Sequence, residues 1–283
     1  LDSEIAAMLL DVAAPLLLFS GTHIGLSNVR EPIITSLGRA ADGVGLVGLD
    51  ININTDEMSS GDGAAFWPTA DVAGRQLFRF SYSAVAFATL GATLSAYASS
   101  HAPNAPLDAL SATNVAAFTV AALAQAISLT SLANPSPLSL VPAFVPDDSG
   151  EYRRDDSLKL RPYGLTRITR HPLILPVLPW GIAQAVLAGG GLEDWVVFGG
   201  LGLYAVAGCW AQDARAQRSA AVGTVFAKGD LRPFYESTSF APFVAIADGR
   251  QSLADAASEI SPVALAAGAA LGAAIEWKTA LVL

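Results

Sequence analysis

The 283 residues are 52% hydrophobic and only 14% charged, with a mean hydropathy of +0.45, which excludes an ordinary soluble domain and places the chain in the membrane class. A net charge of −9 gives no general attraction to phosphate backbones, so nucleic acid is excluded as an expected partner. The single cysteine, Cys209, rules out an intrachain disulfide, and no cysteine spacing suggests a metal site.

Apolar runs of about 20 residues, enough to cross a hydrocarbon core of roughly 30 Å, set the expected elements. Residues 5–26 form the first run, interrupted by Asp11, Pro15 and His23. The second is 78–99 and the third 107–132. The fourth, 173–187, is short, so its helix is expected to begin inside the preceding basic approach at 163–172. The fifth, 195–210, needs flanking residues to cross, and the sixth, 262–283, carries Glu276 and Lys278 near its end.

Basic residues test this map, because Lys and Arg gather in loops on one side of a membrane. Arg30, Arg39, Arg75 and Arg79 lie at or before the start of run two. Arg153, Arg154, Lys159, Arg161, Arg167 and Arg170 lie between runs three and four, and Arg215, Arg218, Lys228, Arg232 and Arg250 between five and six. Fifteen of the 16 basic residues thus occupy alternate loops, leaving Lys278 on the other side. The expected fold is an all-α, polytopic transmembrane bundle of about six spans, one domain over 1–283, with both termini on the less positive side.

Residues 38–74, rich in Gly and Asp, read as an extramembrane loop, since so many backbone polar groups have no partners in lipid. Residues 134–162 begin proline-rich and read as an extended surface connection, with a re-entrant loop as the minority option. Residues 214–226 suit an interfacial helix with arginines on one face.

Several residues are candidates for chemistry. His23 sits within an apolar run, where an ionisable group is costly and points to function; the alternative is a neutral imidazole bonded to a neighbouring carbonyl. Asp11 and Glu276 are better read as reaching the less positive interface than as a proton path. Arg167, Arg170 and His171 form either a clamp for a lipid headgroup or cofactor propionate, or a topology anchor. Pro172 suits a helix first turn. His101, beside Pro103, reads as a solvated turn residue. Gln184 falls at mid-membrane, where an amide bonds across helices, and Gly268-Ala-Ala-Leu-Gly272 permits close helix approach. No phosphate loop, hydrolase triad or zinc helix is present.

Three segments in order carry a family resemblance: His23-Ile-Gly-Leu-Ser-Asn-Val-Arg30, Tyr163-Gly-Leu-Thr-Arg-Ile-Thr-Arg-His-Pro172 and Phe240-Ala-Pro-Phe-Val-Ala-Ile-Ala-Asp-Gly-Arg-Gln251. Together they resemble the NnrU membrane family, which includes the plastid zeta-carotene isomerase, and the closing Asp248-Gly-Arg-Gln251 is most similar to that branch. Residues 38–74 look like an insertion. The resemblance implies a polytopic bundle that, in the isomerase, binds haem b through histidine and shifts one double bond of a cis-carotene without net redox change. His23 matches one ligand position, and His171 stands near the same interface as another candidate for iron.

The sequence departs from that pattern where the isomerase has Cys-x-x-His, for this chain reads Gly181-Ile-Ala-Gln184. A histidine pair of the fifth span appears as Tyr204 and Ala205. A neutral amide is a poor substitute for imidazole on iron. The first expectation is therefore a non-catalytic subunit, or a pigment- and lipid-contacting scaffold, within a larger complex of a photosynthetic membrane. Carotenoid or chlorophyll, lipids and other membrane subunits would be its partners, in a chloroplast thylakoid or envelope; a mitochondrial or bacterial membrane fits the physics equally. The alternative is a haem b-dependent cis-carotene isomerase with altered ligation, through His23 alone or with His171.

Overall fold

A computed structural model describes residues 3–47, 69–100, 111–138, 143–146, 152–218 and 230–280. The chain divides into two compact units, Leu1–Ala98 and Ser99–Leu283.

In the first unit, α1 (Ser3–Asn28) is followed by α2 (Arg30–Gly43) and α3 (Ala70–Ser100). Leu10–Leu26 and Arg30–Gly43 meet at 84° across the break near Val29. Gly38 of α2 and Gly74 of α3 lie at a backbone crossing so tight that a Cβ on Gly38 would collide with the Ala70 carbonyl, and one on Gly74 with the Ile34 carbonyl. The 38–74 loop is corrected accordingly: its two limiting glycines are helix-crossing residues, helix takes 38–43 and 70–74, and 48–68 lies outside the described residues. Composition suggested a loop because glycine marks turns and helix crossings alike.

In the second unit, α4 (Ala112–Ser131) starts at Ser111, whose Oγ accepts the Asn114 N–H at 3.1 Å. A short antiparallel ribbon, β1 (Phe144–Pro146) and β2 (Tyr152–Arg154), pairs Val145 with Arg153. Two 3₁₀ turns follow, Asp156–Leu160 and Gly164–Arg167. Then come α5 (Val177–Leu187), α6 (Leu192–Asp194), a π turn at Trp195–Gly199 and α7 (Gly200–Arg218). The unit closes with α8 (Arg232–Ser237), α9 (Val244–Ala247), α10 (Leu253–Glu259) and α11 (Pro262–Ala280). Helix α4 is the central element, packed against both α11 and α5, while α5 leans on α7. Alanine and glycine make this possible: a Cβ on Gly268 would meet Thr130 Oγ1 and the Ala126 carbonyl, and one on Gly272 would meet α4 backbone.

The all-α expectation holds apart from the ribbon, but the number of spans is corrected. Among the described residues, three helices are long and apolar enough to cross a membrane: Ala70–Ser100, Ala112–Ser131 and Leu192–Gln217. Counting each bent pair as one span, including Leu253–Glu259 with Pro262–Trp277 at 82°, gives up to five. The expected fourth span is the missing one. Helix α5 has 11 residues, about 16 Å at 1.5 Å per residue, roughly half a hydrocarbon core. Prolines explain its late start, since Pro176 takes the N-cap and Pro179 the first turn, where a missing N–H costs nothing. A helix begun at Pro172 would bury the defect of Pro176 in its second turn. The charge alternation relied on that crossing, so the placing of both termini on one side loses its support.

Residues 134–137 are also corrected from the expected surface path: Asn134, Pro135, Ser136 and Pro137 are buried. The fifth run gains the flanks it needed, within Leu192–Gln217. Residues 214–218 of the expected interfacial helix belong to α7, while 219–229 lie outside the described residues.

Candidate functional site

The segment from Tyr163 to Pro172 is a clasp that gathers the loops of the second unit. Thr166 Oγ1 accepts the Tyr163 N–H at 2.8 Å and donates to the Tyr163 carbonyl at 2.8 Å, which fixes the 3₁₀ turn. Asn134 ties the turn to the end of α4: its Nδ2 donates to the Tyr163 carbonyl at 3.1 Å and its Oδ1 accepts the Leu165 N–H at 2.9 Å. Gly164 adopts φ +51 directly beneath that amide oxygen, leaving no space for a side chain.

Arg167 is engaged bidentately by Glu259 of α10, with both N···O distances 2.7 Å, and its third nitrogen donates to Gln251 Oε1 at 2.7 Å. Glu259 also accepts the Gly164 N–H at 2.7 Å. The hydrogen bond to Glu259 is the main cause that raises the Arg167 guanidinium above its ordinary range.

Three residues further on, Arg170 and His171 share one carboxylate, Asp213 of α7. Arg170 Nη1 donates to Asp213 Oδ2 at 3.1 Å, and His171 Nε2 lies 2.7 Å from Oδ1, so that nitrogen carries the proton. Tyr235 Oη adds a third donor to Oδ1 at 3.3 Å, and its ring lies 4.8 Å beneath the Arg170 guanidinium carbon. Burial and Asp213 raise the Tyr235 phenol above its ordinary range. Arg170 Nη2 donates to the Thr238 carbonyl at 2.7 Å, while its Nε is buried without a partner. The Phe240 segment closes the clasp from the other side: Thr169 Oγ1 donates to the Phe240 carbonyl at 2.7 Å, and the Phe243 N–H to the Ile168 carbonyl at 2.9 Å. Two of the three quoted sequence segments are thus one interlocked structure.

A second polar cluster lies inside the helix packing. Glu276 of α11, 1% exposed, accepts from Trp180 Nε1 at 2.9 Å and from Gln184 Nε2. Gln184 is 1% exposed and its Oε1 is buried without a partner. The across-helix role expected of Gln184 is what the structure shows. Glu276 is corrected: it turns into the bundle instead of reaching an interface. Gly181, one turn before Gln184, meets the helix after it so closely that a Cβ would collide with the Phe198 carbonyl.

His23, in the first unit, is half-buried between the rings of Phe19 and Tyr82, at centroid distances of 4.8 and 4.2 Å. Tyr82 Oη donates to the His23 carbonyl at 3.2 Å. Asp11 is exposed on α1, Tyr204 and Ala205 are half-buried and buried on α7, and His101 lies outside the described residues. Among the described residues no group of three or more His, Cys, Asp or Glu side chains is arranged to hold a metal ion.

The donor set does not fit a haem held as in the isomerase. Its Cys-x-x-His positions are occupied by a glycine under a carbonyl and by an amide committed to Glu276, and His171 gives Nε2 to Asp213. Sequence reasoning missed Asp213, Glu259, Tyr235 and Asn134. A signal existed for Asp213, an acid within one turn of the end of an apolar run; none existed for the other three.

Compared with known families, the chain matches the model described as NnrU protein over residues 66–280. That stretch contains the Tyr163 and Phe240 segments and leaves the His23 segment outside. No curated protein and no solved structure matches the chain.

Proposed function

The chain belongs to the NnrU family of membrane proteins, and on that premise we propose that it serves as a non-catalytic subunit, or a pigment- and lipid-contacting scaffold, of a larger complex in a photosynthetic membrane. The observation that carries this is the closed crossing at Gly181 and Gln184. Where the related isomerase presents iron ligands, this chain packs backbone on backbone and spends its one polar side chain on Glu276. The clasp around Arg167 and Arg170 holds loops together through its ion pairs with Glu259 and Asp213. A framework kept while a reactive element is absent is what an assembly role requires.

The outer surface supports the same reading. Phe80 and Phe87 on α3, Leu203 and Trp210 on α7, and Trp277 on α11 are 65–76% exposed, a set of large apolar side chains suited to acyl chains, pigments or neighbouring subunits. The photosynthetic and chloroplast placing rests on the resemblance to the isomerase branch. The test is purification from native membranes in mild detergent, followed by blue-native electrophoresis and an absorption spectrum. Comigration with other subunits and extractable carotenoid or chlorophyll is the expected result; a stable monomer with neither partner nor pigment refutes it.

One observation favours a second reading, a cis-carotene isomerase with haem b on altered ligands: His23, which the resemblance of its own segment puts at a ligand position of the isomerase, is only half-buried. Arg167 and Arg170 would then face propionates only by leaving Glu259 and Asp213, and His171 would reach iron through Nε2 only by leaving Asp213. A Soret band that weakens in His23→Ala, with turnover of the carotene in a producing host, supports that reading, and absence of both removes it.

A further inference from the structure

We propose that the cleft between α4 and the start of α5 holds the ring of a prenylated quinone, a neutral lipid whose ring carries carbonyl oxygens. The proposal goes beyond the scaffold reading and does not rest on it.

The cleft has a volume of about 220 Å³ and is lined by Ala124, Gln125 and Ser128 of α4 together with Pro176, Val177 and Trp180. Gln125 and Ser128 are half-buried, and among the described residues neither the amide nor the hydroxyl has a hydrogen-bond partner. Ser128 differs in this from other hydroxyls of its own helix. Thr119, Thr130 and Ser131 each donate to a carbonyl of the preceding turn, at 2.7, 2.6 and 2.7 Å, and Ser128 does not.

Depth makes this pair informative. Gln125 lies six residues, about 9 Å, inside the end of α4, a helix long and apolar enough to cross a membrane. Hydrocarbon offers neither donors nor acceptors, and an amide left unpaired in it is costly. The partner of both side chains is therefore a molecule that itself dissolves in the bilayer and brings an oxygen with it.

The lining selects which molecule. No charge is available to it: α4 and α5 carry no ionisable side chain, and Glu276 does not line the cleft and is engaged by Trp180 Nε1 and Gln184 Nε2. A phosphate or carboxylate would stand there unpaired. A cavity of about 150 Å³ takes benzene and drug-sized ligands need roughly 300 Å³ or more, so 220 Å³ takes one substituted six-membered ring and no macrocycle. The aromatic wall is fixed in advance, since the Trp180 indole donates to Glu276 Oε1 at 2.9 Å and meets the Phe198 ring edge-on at 6.0 Å. A flat, rigid ring gains aromatic contact with that wall and loses little freedom on binding, whereas an acyl chain gains none and loses more.

The oxygen completes the match. Gln125 and Ser128 are three residues apart and hence neighbours on α4, so the amide N–H and the hydroxyl can both donate to one carbonyl, which has two lone pairs. The reduced ring fits the same pair, its hydroxyl donating to Gln125 Oε1 while accepting from Ser128.

The test is native mass spectrometry of the detergent-purified full chain, titrated separately with a decyl-substituted benzoquinone, with decylbenzene and with a dihydroxy carotenoid. One quinone per chain should be retained, about tenfold or more tightly than decylbenzene, which has the ring and tail without the oxygens. Gln125→Leu and Ser128→Ala, each checked for unchanged thermal unfolding, should each weaken quinone retention about fivefold, the loss of one hydrogen bond. Equal retention of decylbenzene would show a purely apolar cleft, and tighter retention of the carotenoid would show a pigment end ring in place of a quinone. Either result overturns the proposal, as does quinone retention unchanged in both variants. Should Gln125→Leu not fold, Ser128→Ala and the wild-type comparison decide.

Discussion

Gly181→Ala is the sharpest test of the closed crossing. The substitution adds one methyl group to α5, aimed at the Phe198 carbonyl of the facing helix, in contact with backbone and not with a side chain that can swing aside. Overpacking of this kind costs about 1–3 kcal/mol, and rigid backbone on the far side argues for the upper half. Alanine in a helix also returns about 0.5–1 kcal/mol over glycine, which masks part of the cost. Gly208→Ala is the control, because Gly208 lies mid-helix in α7 with nothing within 4 Å of where its Cβ would stand. Both variants gain the same propensity, so the difference between them isolates packing. Thermal unfolding in detergent, followed by tryptophan emission, should place Gly181→Ala roughly 4–12 °C below Gly208→Ala, at about 2–4 °C per kcal/mol. If the two variants unfold together, α5 has room to move, the crossing is not closed, and the argument against iron ligands at this position fails.

Rebuilding the family element as Gly181→Cys with Gln184→His should yield unstable protein with no Soret band, whereas a stable haem-binding variant would show that the crossing can open. Gln184→Ala leaves Glu276 with Trp180 as its remaining hydrogen-bond donor and should cost about 1.5–3 kcal/mol, read by the same unfolding assay. Asp213→Asn removes the carboxylate shared by Arg170 and His171, and breaking a buried pair in this way should cost about 3–5 kcal/mol, with loss of expression as the extreme outcome. Glu259→Gln removes the charge that Arg167 engages through two nitrogens and should cost about 1–3 kcal/mol in the same unfolding assay, and an unchanged unfolding temperature would show that the Arg167 pair does not contribute.

Much of the candidate site was legible as separate pieces. The Tyr163 and Phe240 segments stood out in the sequence, but that Thr169 reaches the Phe240 carbonyl follows from neither. Gln184 could be recognised as an across-helix residue because an amide in an apolar run has few other options. Its partner could not, since Glu276 lies 92 residues away and equally suits a helix end near water. Arg167 and Arg170 look alike in sequence, three residues apart, yet one pairs with α10 and the other with α7.

Composition alone determined the solvent: a chain this apolar and this poor in charge folds against lipid, and runs of the observed length become helices because lipid leaves no backbone group unpaired. Order and spacing also determined the family motifs. Tertiary structure decided everything lateral. Whether 173–187 crosses, whether a glycine is a turn or a helix contact, and which carboxylate answers which arginine depend on what packs alongside. Periodicity fixes the face a side chain occupies on its own helix and carries no information about the helix that faces it.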